Sequence, residues 1–172
     1  MRGFTVLSAA AVAALMTSAA FGADLMMTPP APAEAMTDGF AWDGLYGGIS
    51  VGYDTTGDAE LKGVVGVNLL PAESFLIGIE GGLGYYFDVG NGGGNGVYTT
   101  VGARAGFISG PALYYLTAGA WYDVTYGGPV YGFVGGGVEF AVGDNTSIQL
   151  QAVYYPSYGD SDVTASLLWH MH

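Results

Sequence analysis

The chain contains no cysteine, and only three of its 172 residues are basic: Arg2, Lys62 and Arg104. The first absence excludes disulfides, thiolate nucleophiles, Cys-ligated zinc and iron–sulfur clusters together. The second excludes a basic face. With 15 acidic residues and a net charge of −12, nothing is available to neutralise a phosphate backbone, so nucleic acid is not expected as a partner. Charge of either sign is scarce: 10% of residues are charged, where soluble domains carry about a quarter. Beyond the N-terminal region no stretch suits a membrane helix. The longest uncharged apolar run, 105–122, is interrupted by Gly110-Pro111, a turn signal.

What is present is apolar and small. Hydrophobic residues make up 51% of the chain, aromatics 14%, and there are 31 glycines. A mean hydropathy of +0.38 excludes intrinsic disorder, which needs low hydrophobicity and dense charge. The N-terminus predicts an address. Met1-Arg2 is a short positive region, Gly3 to Met16 is apolar, and Ser18-Ala19-Ala20-Phe21-Gly22 supplies small residues for cleavage, so residues 1–22 read as a secretory signal peptide. Residues 23–41, with Thr28-Pro29-Pro30-Ala31-Pro32-Ala33, read as a Pro/Ala-rich periplasmic linker, and 42–172 as one folded unit.

From Leu45 onward the dominant period is two, which predicts strands at 45–54, 59–69, 75–87, 97–107, 112–124, 130–141, 147–155 and 162–170. Gly, Pro, Asn, Asp and Ser clusters separate them. The two strand phases differ sharply. One is wholly uncharged, running through Leu45, Ile49 and Val51 to Leu167 and Trp169; the other holds Glu60, Lys62, Glu80, Arg104, Asp123, Glu139 and Asp162. A basic residue facing lipid at the bilayer midplane costs roughly 2–4 kcal/mol, so an uncharged phase fits a lipid-facing surface. A soluble β-sandwich, the other architecture weighed, would put its polar residues outside. The charges therefore belong inside a closed barrel. The uncharged phase also carries Tyr53, Phe75, Tyr85, Phe87, Phe107, Tyr114, Tyr122, Phe140, Tyr154 and Trp169, all near strand ends. Aromatics at those positions predict two girdles at the headgroup level. The expected fold is an all-β, eight-stranded antiparallel up-and-down transmembrane β-barrel with short loops.

Several segments carry a resemblance that covers nearly the whole chain. Phe40-Ala41-Trp42-Asp43-Gly44-Leu45-Tyr46-Gly47-Gly48, Ile77-Gly78-Ile79-Glu80, Thr100-Val101-Gly102-Ala103-Arg104 and Gly135-Gly136-Gly137-Val138-Glu139-Phe140 resemble the small opacity-protein-like outer-membrane barrel proteins of Gram-negative bacteria. Three positions depart from that family. Gly102 stands where a second basic residue is usual, Gln151 and Val153 replace an acid–base pair, and Trp169 is followed by His170-Met171-His172 instead of ending the chain in Phe. The resemblance implies a monomeric cell-surface protein of the outer membrane, in contact with lipid and lipopolysaccharide and delivered by periplasmic chaperones and the barrel assembly machinery. It implies no cofactor and no metal.

The candidate functional residues are the inward charges. Lys62, Glu80, Arg104, Glu139 and Glu60 are expected to pair across the lumen, because an unpaired charge in a narrow interior costs several kcal/mol. Two roles are open. An eight-stranded interior is just wide enough for side chains to fill, which gives a structural barrel with a polar plug. Alternatively, inward glycines such as Gly48, Gly82, Gly102 and Gly137 leave volume for a low-conductance porin or small-solute channel. A lipid-acting hydrolase would need Ser, His and an acid together; Ser166 stands near His170 along its strand, with no third member evident, and no catalytic residue is assigned. Asp54, Asp58, Asp88 and Asp160 are expected at the loop rim. The loops are too short for a dedicated adhesin.

Overall fold

A computed structural model describes residues 40–89 and 94–171. The expected signal peptide at 1–22 and the expected linker as far as residue 39 lie outside the described residues. Period-two alternation becomes eight strands: β1 (Gly44–Asp54), β2 (Asp58–Ala72), β3 (Phe75–Asp88), β4 (Gly96–Ser109), β5 (Ala112–Asp123), β6 (Tyr131–Ala141), β7 (Thr146–Tyr155) and β8 (Asp160–Met171). Each pairs antiparallel with the next, and β1 pairs antiparallel with β8, so the sheet closes on itself. That closure excludes the soluble sandwich and leaves no strand edge unpaired. β2 runs on to Ala72 past the expected Leu69, with a register shift between the two that accommodates Pro71.

The two phases separate as the alternation requires. Leu45, Ile49, Val51, Leu61, Val65, Ile79, Leu83, Val101 and Leu116 are exposed on the outer wall, while Lys62, Arg104, Asp123, Glu139 and Asp162 are buried inside. Strand direction sorts the aromatics into two belts. Tyr53, Tyr85, Phe87, Tyr122 and Tyr154 fall at the end that carries the loops after β1, β3, β5 and β7. Phe75, Phe107, Tyr114, Phe140 and Trp169 fall at the end where β1 begins and β8 ends, the terminal end, where the Phe75 and Phe107 rings meet at 5.1 Å between centroids. At the terminal end the connections are tight. Gly110 turns β4 into β5 at φ 58°, a left-handed conformation that favours glycine.

Inside, the glycines do not leave the space that the sequence suggests. A ring or long side chain from a neighbouring strand lies over many of them: Tyr46 over Gly66, Tyr98 over Gly84, Tyr115 over Gly137, Phe133 over Gly119, and Lys62 over Gly82. Large and small residues thus interlock across adjacent strands, which fills a lumen of this diameter. The reason was invisible in one strand at a time, because the filler and the gap belong to different strands.

Candidate functional site

The lumen has two halves with different chemistry. In the half nearer the termini, Arg104 on β4 reaches across β5 to Glu139 on β6, Nη1 to Oε2 at 2.9 Å. Glu139 is fully buried, and its other oxygen accepts hydrogen bonds from Ser147 Oγ at 2.6 Å and His170 Nε2 at 2.9 Å. One carboxylate therefore collects three donors, which is how a buried charge is made tolerable. Arg104 is held in turn. Its Nε donates to Asn68 Oδ1 at 3.1 Å, Asn68 Nδ2 donates to the Trp42 carbonyl at 2.9 Å, and the guanidinium lies 4.4 Å from the Tyr46 ring centroid and 5.4 Å from that of Tyr115.

The chain just before β1 closes this end. Trp42 is buried with Leu76, Leu113 and Tyr115, and Phe40 packs on that cluster. Phe40, expected in the linker, lies 4.6 Å from the Trp42 ring and 4.8 Å from His170. Tyr46 stacks on His170, 5.5 Å between ring centroids, and its hydroxyl donates to Glu80 Oε2 at 2.8 Å.

Of the five residues expected in one network, Arg104 and Glu139 pair directly, Lys62 stands 3.8 Å from Glu60 on its own strand, and Glu80 takes the Tyr46 hydroxyl. Among the described residues these five make two ion pairs, and Tyr46 stands between Glu80 and the Arg104 guanidinium. His170 was missed as a lumen residue, although it continues the inward phase of Asp162, Thr164, Ser166 and Leu168. It also brings Ser147 and Glu139 together with an imidazole. This is not a hydrolase triad: Ser147 and Glu139 both address Nε2, whereas a triad puts the acid on Nδ1, and all three are buried. His170 Nδ1 has no hydrogen-bond partner.

The half nearer the loops is acidic and open. A cup of about 360 Å³ is lined by carboxylates including Asp54, Glu60, Asp123 and Asp162 and by a wall of rings including Tyr98, Trp121 and Tyr155. Tyr98 and Trp121 stack at 5.9 Å and 25°, and Tyr155 and Tyr158 at 5.5 Å and 16°. In the turn after β7, the Tyr158 hydroxyl is pushed up to about 12, by burial first and then by Tyr131, Asp160 and Asp54. Below the cup lies a cavity of about 20 Å³, bordered by Lys62, Glu80, Arg104, Gln151 and Asp162. That is room for about one water. Among the described residues no group of three or more His, Asp or Glu side chains is placed to hold a metal ion.

Fold and lumen together define a closed barrel of transmembrane type with a largely filled interior. Solved structures of that type are similar to it. The N-terminal β-barrel domain of Pseudomonas aeruginosa OprF aligns with a TM-score of 0.55 at 12% identity, over 73% of this chain and 95% of that one. A de novo designed barrel, TMB2.3, solved by solution NMR, aligns at 0.55 and 17% identity, over 80% and 99%. Another chain, from work on de novo design of transmembrane β-barrels, aligns at 0.51 and 16%, over 73% and 92%. At such identities the likeness carries the fold alone. No family profile and no curated protein matches the chain.

Proposed function

We propose that this protein is a structural β-barrel of the bacterial outer membrane, monomeric, with a lumen plugged by its own side chains. The membrane reading rests on the outer wall, where exposed aliphatic residues lie between two aromatic belts and no charged residue intervenes along the strands. The opacity-protein-like resemblance, contact with lipid and lipopolysaccharide, and delivery by periplasmic chaperones and the assembly machinery belong to the same proposal. β1 begins and β8 ends at the same end of the barrel, which suits that end facing the periplasm and the longer loops facing outside.

The observation that carries the plug is the size of the mid-lumen cavity, about 20 Å³ beside a fully buried Arg104–Glu139 pair. A low-conductance channel is the second reading, and one observation favours it: Tyr155 and Asp162 border both the loop-end cup and the small cavity, so the two adjoin. Refolding the protein into lipid vesicles tests both. The expected results are a band that migrates differently before and after boiling, recovery of the protein in the outer-membrane fraction of cells, and no single-channel steps in a planar bilayer. Stable steps would favour the channel, and a soluble, heat-insensitive monomer would overturn the membrane reading itself.

A further inference from the structure

Two buried carboxylate oxygens of the loop-end cup, Glu60 Oε1 and Asp162 Oδ1, have no hydrogen-bond partner. Asp123 accepts from the Tyr86 hydroxyl and the Tyr126 N–H, Asp160 from Thr55 and the Ser161 N–H, and Asp54 caps its own turn through Thr56, Gly57 and Asp58. Glu60 accepts from the Tyr98 hydroxyl through Oε2, while its Oε1 has no hydrogen bond and faces Lys62 at 3.8 Å. Asp162 lacks even that counter-charge within ion-pair distance. It is only 6% exposed, it borders the cup, and its Oδ1 has no hydrogen-bond partner. It also lies directly across the β1–β8 pair from Asp54, and like charges opposite one another weaken a sheet.

Leaving a buried acceptor unsatisfied is costly, so a site retaining one beside an open cavity points to a donor from outside. The surroundings define that donor. The field is negative, the walls are aromatic faces that attract cations, and about 360 Å³ lies within the range of small-ligand pockets, roughly 300–1,000 Å³. A bare divalent ion does not fit, since no three ligating side chains converge among the described residues. A neutral sugar would use the rings but would leave the charge unanswered.

We propose that the cup binds a small organic cation carrying protonated amines, with an ammonium at Asp162 and Glu60 and its alkyl chain along Tyr98, Trp121 and Tyr155. Binding enters from the loop end and does not depend on whether the lumen conducts. The full chain, refolded in zwitterionic detergent, is titrated with spermidine by calorimetry. Saturable one-site binding is expected, weakening as sodium chloride is raised. Asp162→Asn should weaken it at least tenfold and Trp121→Leu several-fold, while Asp144→Asn, in the turn at the opposite end, leaves it unchanged. Heat-shifted gel migration checks that each variant is folded. If Asp162→Asn does not refold, Trp121→Leu alone decides. Absence of saturable binding overturns the proposal. So does wild-type affinity in the refolded test variant, displacement of spermidine by magnesium at equal charge, or equally tight binding of glucose.

Discussion

The two halves of the lumen are built from the same inward strand phase, yet one is sealed and the other is open. At the terminal end a single guanidinium meets a single carboxylate, Asn68 accepts from Arg104 and donates to the Trp42 carbonyl, and Ser147 and His170 donate to Glu139. At the loop end Lys62 is the one base among several acids, and it stands 3.8 Å from Glu60. Charge balance separates them. Where every buried charge finds a partner of the right geometry the interior closes, and where acids outnumber bases the walls hold apart around a cup.

Breaking the sealed half should have the largest effect. Arg104→Ala leaves Glu139 buried with only Ser147 and His170, and is expected to cost about 3–5 kcal/mol, read from urea unfolding of the lipid-refolded protein. The double change Arg104→Met with Glu139→Met should recover most of that loss, because apolar residues of similar size need no counter-charge. Trp42→Ala should cost about 3 kcal/mol by emptying the lower mouth. It should leave the bilayer electrically silent, since the Arg104–Glu139 pair still blocks the way.

Smaller effects test the interlocking and the open half. Gly84→Ala places a methyl against the Tyr98 ring and should destabilise by about 1–3 kcal/mol, as overpacking does. Asp162→Asn should move the other way at neutral pH. Removing a charge opposite Asp54 is expected to stabilise by about 0.2–1 kcal/mol, detected as a higher unfolding midpoint. An acid whose removal raises stability is one that the fold alone does not need.

The contrast also explains what could be read from residues alone. Strand positions, the inward and outward faces and the aromatic belts follow from alternation within each strand, and alternation is local. Pairing across the lumen is not. Arg104 meets Glu139 and not Glu80 because their strands are set two apart with a particular stagger, and Glu80 lies where the Tyr46 hydroxyl arrives first. His170 was legible by counting back from Asp162 in steps of two. Its place beside Glu139 was not, because that depends on how β8 closes onto β1 and β7. The glycines misled for the same reason, with Tyr98 of β4 filling the gap at Gly84 of β3.

A chain without cysteine allows the sealed-against-open contrast to be measured on a blank background. Single cysteines at Tyr158, in the loop-end cup, and at Ser147, beside Glu139, would be exposed in lipid vesicles to a small charged thiol reagent supplied from both sides. Rapid modification is expected at 158, and none at 147 until the protein is unfolded. Modification of the folded protein at comparable rates would contradict it, because water and solute would then cross the half of the lumen held shut by Arg104, Glu139 and His170.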